Sequence, residues 1–275
     1  MMTIHNTSGC EGCPMTAQLE QMGLKLDKFD RIVALAGNPN TGKSTLFNTL
    51  TGLNQHTGNW PGKTVTRAEG GYVFQNVRYK LIDLPGTYSL LSASQDEEVA
   101  RNFILFGQPD CTVVVTDATA LERNLNLVLQ VLEITEKVVV AVNLMDEAKR
   151  KGIQVDTRSL ARDLGVPAIP IIARNGEGVQ TLLSTIASVI SGEIATKPLR
   201  VKGSAQFQSA VNSLSEEIKK LFPGVPNARW LAIRLLDGDV RVKEAIQSGE
   251  INDLVNSQRR SDVQFSSRMA VEGRQ

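Results

Sequence analysis

The 275-residue chain has little cysteine, little histidine, almost no net charge and no long apolar run. Three cysteines are too few for a disulfide framework, and a reducing cytoplasm suits that count better. Cys10-Glu11-Gly12-Cys13 supplies two metal ligands and His5 a third, whereas a structural zinc site wants four, so the segment reads as a terminal tail with two inert thiols. Cys111 opens an apolar run and reads as core. A net charge of +1 argues against a polyanion-binding surface, and Lys149-Arg150-Lys151 and Arg259-Arg260 read as solvated surface. No stretch approaches the roughly 18–20 apolar residues that span a bilayer. Met1 to Gly23 lacks the basic flank and apolar segment of a signal peptide. The sequence as given reads as soluble, with one large or two modest domains.

Alternation is what the chain does have. Strand-like runs at 31–36, 66–75, 77–82, 111–117, 137–143 and 168–172 alternate with helical patterns near 43–51, 95–106, 122–134, 157–164 and 178–191. Several runs are unbroken apolar, as in strands covered on both faces. This predicts a doubly wound α/β domain with a mostly parallel sheet over 31–192. Ser94 and Glu97 have capping-box spacing, and Asp96, Glu97 and Glu98 read as dipole neutralisation at a helix start. Residues 1–30 form an N-terminal extension with a short helix at 15–29. Beyond 200 the pattern turns all-helical. Phe207, Val211, Leu214, Ile218 and Leu221 make one apolar stripe, Pro223-Gly224 stops it, and Asn227 caps a second helix ended by Gly238. Shorter helices follow near 240–247 and 251–256, with Asp237 and Asp239 in a turn. The small helical domain spans 200–265 and a tail 266–275.

The chemistry is concentrated at 37–44, Gly-Asn-Pro-Asn-Thr-Gly-Lys-Ser, directly after the first apolar run. This is the phosphate-loop pattern between strand and helix, in which backbone N–H groups and a helix N-terminus cradle phosphate oxygens. Asn38, Pro39, Asn40, Thr41, Gly42, Lys43, Ser44 and Thr45 are the expected phosphate-lining residues, with Lys43 on the β and γ phosphates and Ser44 on Mg2+. Asp83-Leu84-Pro85-Gly86 follows the strand at 77–82. There Asp83 can hold Mg2+ through water, and the Gly86 N–H can sense a γ-phosphate.

Asn143-Leu144-Met145-Asp146 has the spacing that selects guanine: a carboxylate accepts from N1–H and the N2 amine, which adenine cannot offer. Leu144 stands where many GTPases have a lysine under the base. Ala173-Arg174-Asn175-Gly176 follows the last strand, where a backbone N–H meets the guanine oxygen. In the loop 54–66, Gly62 and Thr64 are expected near the γ-phosphate, with Thr64 on Mg2+ and Thr66 as fallback, and Trp60 belongs to a mobile surface segment.

Together with Gly58-Asn-Trp-Pro-Gly62, the run Asp83 to Leu90, Asp117-Ala-Thr-Ala-Leu-Glu-Arg-Asn-Leu125 and Ala228 to Asp239, these motifs resemble the cytosolic GTPase region of the bacterial ferrous iron transporter B family. The resemblance implies a G domain that binds and hydrolyses GTP, a helical domain regulating nucleotide release, and a membrane permease region further along a longer chain. It places the protein on the cytoplasmic face of the inner membrane. It also leaves room for small accessory iron-transport proteins and a homo-oligomer as partners, with no nucleic acid. Thr87 stands where many switch GTPases carry glutamine. Related GTPases with asparagine at the Asn40 position bind K+ there, helped by carbonyls near Gly58 and Trp60, so K+-stimulated hydrolysis is expected. Asn40, Lys43, Thr64 and Gly86 are the expected catalytic set. A soluble GTPase of ribosome or tRNA maturation is the alternative, but the segment after 200 lacks a basic RNA-binding character. A third reading is a nucleotide switch with negligible hydrolysis.

Overall fold

A computed structural model describes residues 29–52, 55–91, 94–200 and 203–252. The expected helix at 15–29, the Cys10/Cys13 pair, most of 251–256 and the tail 266–275 lie outside them.

Strands β1 (Arg31–Gly37), β5 (Cys111–Asp117) and β6 (Val138–Asn143) are apolar and buried over nearly their whole length. Both faces of each are covered, which is why their sequences run apolar without alternation. β4 (Val77–Asp83) pairs parallel with β1, β1 with β5, β5 with β6, and β6 with the short β7 (Ala168–Pro170). Two antiparallel strands complete the sheet. β3 (Thr66–Phe74) joins β4 through a tight turn with Gln75 and Asn76 both at positive φ, and β2 (Gln55–Asn59) forms the edge. The order is β2-β3-β4-β1-β5-β6-β7. The expected doubly wound sheet is present, and the loop expected at 54–66 contributes its edge strand.

One face of the sheet packs Val33, Leu35, Leu81, Val113 and Val115 against α1 (Lys43–Thr51) and α6 (Val179–Ser191). The other packs Ile32, Ala34, Ile82, Val114 and Val140 against α2 (Gln95–Phe106) and α3 (Leu121–Ile134). Short helices α4 (Met145–Arg150) and α5 (Thr157–Leu164) follow β6. Ser94 caps α2, its Oγ accepting from the Glu97 N–H at 3.2 Å, while Glu97 Oε1 accepts from Ser89 Oγ at 3.0 Å. Cys111 is fully buried and burial pushes its thiol up to about 12, so it is core, as its sequence setting implies.

The helical part comprises α7 (Ala205–Leu221), α8 (Ala228–Leu236) and α9 (Val240–Gln247). Ser204, Asn227 and Asp239 cap them through side-chain oxygens. The α7 stripe is narrower than its spacing implies. Val211 and Ile218 are buried, but Leu221 is 70% exposed, because the ends of the helix overhang the packed centre. Asp237 and Asp239 do structural work: both bind Arg234, at 2.8 and 2.9 Å, and Asp239 also caps α9.

The helical part sits on α2 and α3, and one apolar core runs from Phe103 and Leu132 into Trp230, Leu231 and Val242. Asn227 Nδ2 donates to the Glu133 and Ile134 carbonyls, both at 2.9 Å, satisfying acceptors that the end of α3 would otherwise leave open. The Arg101 guanidinium lies 5.9 Å from the Trp230 ring centre.

Candidate functional site

The motif loops at 37–44, 83–86, 117–125 and 143–146 leave the carboxyl ends of β1, β4, β5 and β6, and the one at 173–176 follows β7, where open α/β sheets bind ligands. The loop after β1 is held close to its neighbours. A Cβ on Gly37 would lie 2.6 Å from the Val115 carbonyl oxygen, so only glycine lets β1 end there. Asn40 takes φ +65 and is exposed, Thr41 Oγ1 donates to the Asn38 carbonyl at 2.9 Å, and Gly42 takes φ +79 before α1 begins. Ser44 and Thr45 face solvent in the first turn of α1.

Lys43 is 9% exposed and its ammonium pairs with Asp83 Oδ1. Burial raises the Asp83 carboxyl above its ordinary value, with Lys43 opposing. Gly86 follows three residues on, its Cβ direction meeting Pro39 at 3.5 Å, so the Asp-Leu-Pro-Gly turn abuts the phosphate loop. Thr87 is buried at 5% exposure, with its N–H donated to the Gly37 carbonyl at 3.3 Å.

Asn143, 1% exposed, binds three motifs together. Its Nδ2 donates to the Thr41 carbonyl and its Oδ1 accepts from the Ala173 N–H, both at 2.9 Å. The Ala173 carbonyl in turn accepts from Thr49 Oγ1 at 2.9 Å, and Asn175 Oδ1 accepts from the Glu177 N–H at 3.0 Å. Leu144, at φ +62, turns the chain so that Asp146 enters the first turn of α4. The Asp146 carboxylate has two unlike oxygens: Oδ2 accepts from Arg174 Nη2 at 2.6 Å, whereas Oδ1 is buried without a protein partner. Both polar atoms of the Asn38 carboxamide are also buried and unpartnered. Such orphans are uncommon in protein interiors, and each calls for a partner.

The expected residues in the 54–66 loop stand apart from this cluster. The Thr64 hydroxyl donates to Gln95 Oε1 at 3.3 Å, and Gly62 is exposed at φ +68. Trp60 corrects the sequence reading of a mobile surface segment. It is 5% exposed and meets Phe103 edge-on at 5.4 Å. Arg67 covers its ring at 5.4 Å, and hydrogen bonds Trp60 N–H to Val65 O and Lys63 N–H to Trp60 O close the turn. Its polar neighbours in sequence concealed an aromatic anchor whose partners lie in α2 and β3.

Two further features complete the surroundings. Glu98 does more than neutralise a helix dipole, since its carboxylate binds Lys63 at 3.1 Å and Arg241 of α9 at 3.2 Å. The Asp117 segment is an Asx turn tied to α3: Asp117 Oδ1 accepts from the Thr119 N–H at 2.7 Å, and Asn124 Oδ1 accepts from the Asp117 N–H at 3.2 Å.

The sequence matches the family model described as "Ferrous iron transport protein B" over residues 31–186, more than half of the chain, and that of the "FeoB cytosolic helical domain" over 204–267. The chain belongs to this family. It is 38% identical over 214 residues to the Fe(2+) transporter FeoB of Escherichia coli strain K12, covering 76% of this chain and 27% of that relative. It thus spans about a quarter of the length of the curated relatives it matches. Among solved structures it is similar to the cytosolic domain of L. pneumophila FeoB, with 36% identity, a TM-score of 0.72 and coverage of 82% and 88% of the two chains. It is also similar to the cytosolic domain of the T. maritima FeoB iron transporter in its GMPPNP form, with 33% identity, a TM-score of 0.72 and coverage of 84% and 95%. Family members thus share both the sheet and the helical part. No described helix is long and apolar enough to cross a membrane, and the described residues hold no cluster of three or more His, Cys, Asp or Glu suited to a metal.

Proposed function

We propose that this chain binds and hydrolyses GTP on the cytoplasmic face of the bacterial inner membrane, and that its nucleotide state controls ferrous iron movement through a permease region of a longer chain. The observation that carries the reading is the Asn143 junction, which joins the phosphate loop to Ala173 beside a carboxylate with one unpartnered buried oxygen. Asp146 Oδ1 suits a guanine N–H donor, and an adenine would leave it unpaired at a cost. With the Ala173 N–H given to Asn143 and the Asn175 N–H to Ile172, Arg174 N is the candidate donor to the guanine oxygen.

In this reading water attacks the γ-phosphorus and the bond to the β-phosphate oxygen breaks, leaving GDP and phosphate. Lys43 leaves Asp83 for the β and γ phosphates, and the main-chain N–H groups of Asn38 and of Asn40 to Thr45, with that of Gly86, take the oxygens. Thr87 is buried and cannot orient the attacking water as a glutamine would. The residues fit two cations. Ser44, Asp83 and Thr64 (once released from Gln95) offer hard oxygens suited to Mg2+, and exposed Asn40 offers an amide oxygen to K+. When bound, these cations would neutralise charge developing on the phosphates. Accessory iron-transport proteins and self-association belong to the same proposal.

The test is nucleotide affinity and turnover. GTP should be preferred to ATP by several orders of magnitude, and Asp146→Ala should abolish the preference. Turnover should be faster in K+ than in Na+, and Asn40→Ala should remove that difference. Preference for ATP would overturn the reading.

A further inference from the structure

The base-reading carboxylate already carries a planar cation. Arg174 Nη2 donates to Asp146 Oδ2 at 2.6 Å. A guanidinium and the N1–H/N2-amine edge of guanine are the same kind of object to a carboxylate: a flat, conjugated group with adjacent N–H donors. The point from which Arg174 swings is fixed, because Ala173 is pinned at its N–H by Asn143 and at its carbonyl by Thr49. The arginine side chain is 66% exposed while Asp146 is only 20% exposed, so the guanidinium can leave to solvent but the carboxylate cannot. The other carboxylate oxygen stays unpartnered, which leaves the site open to a ligand with a second donor.

We propose that Arg174 is an internal competitor of guanine: it occupies Asp146 between ligands, must swing out when the base enters, and speeds exchange by returning as the base departs. The proposal rests on Asp146 being the guanine-reading group. A displaced competitor weakens apparent affinity by the reciprocal of the fraction of time it leaves the site free. For an ion pair this exposed at one end, that is about two- to five-fold.

The experiment is titration of the 275-residue chain and its Arg174→Ala variant with a fluorescent GDP analogue, with stopped-flow rates, at low and high salt. Arg174→Ala should bind GDP about two- to five-fold more tightly, through faster association and slower release. The gap should close in high salt, where the pair is screened. An Asp146→Asn background, whose carboxamide suits xanthosine diphosphate instead, should show no gain from Arg174→Ala, which a general structural role for the arginine would not reproduce. Unchanged or weaker GDP binding by Arg174→Ala, while the parent chain binds GDP, would overturn the proposal. A parent chain that binds no guanine nucleotide would overturn the site reading beneath it, and the proposal with it.

Discussion

A methyl group on Gly42 would lie 2.3 Å from the Asn143 amide nitrogen, on a backbone at φ +79. Gly42→Ala therefore combines a left-handed alanine with a clash at the junction of three loops, and should destabilise the fold by about 2 kcal/mol, read from denaturant midpoints. Nucleotide affinity should fall with it. At this scale the sequence was informative wherever chemistry demands a residue type at a fixed chain spacing. The glycines, Lys43, Asp83, Asn143 and Asp146 lie at the sheet's carboxyl end as their motifs imply. Arg174 was named only for its backbone, because nothing in local spacing tells where a long side chain will land. The Lys43–Asp83 pair escaped notice for the related reason that each residue was assigned to a ligand, not to the other.

Among the elements, the turn at 60–65 behaves unlike a free loop. Trp60 buries a large aromatic surface on Phe103 under Arg67. Trp60→Ala should cost about 3 kcal/mol, at the low end for a buried tryptophan because the site lies at the sheet's margin. Hydrogen exchange should accelerate over 60–66 and in α2, with the far side of the sheet unchanged. The central strands were readable because burial on both faces writes an unbroken apolar run. Edge strand β2, Gln-His-Thr-Gly-Asn, carries no such run, since it is held by backbone pairing to β3 alone. The exposed ends of α7 show the converse: a periodic stripe states which face is apolar, not how far the neighbour extends along it.

In the whole molecule, Glu98 is the meeting point of the 60–65 turn and the helical part. Burial alone would raise its carboxyl, but Lys63 and Arg241 outweigh that and hold it below its ordinary 4.5. The unfolded chain therefore binds more protons in the window below 4.5, and the stability Glu98 supplies is full above it and lost as pH falls through the lowered value. Glu98→Gln should cost about 1–2 kcal/mol at neutral pH and flatten the acid limb of thermal midpoints measured against pH. Asn227→Ala removes a helix cap and two bonds to the end of α3, and should cost about 1–3 kcal/mol. A helical second unit was legible beyond 200, because the apolar stripe, the Asn227 cap and the terminators are local. Its seat on α2 and α3 was not, because Asn227, Trp230 and Arg241 meet partners 93 to 143 residues away in the chain.

The unbroken core from Phe103 through Leu132 to Trp230 and Val242 has one more consequence. Neither half can expose its share of that surface without stripping the other of its cover, so scanning calorimetry should record a single endotherm, and the sheet and the helical part should lose their tertiary signals at one temperature.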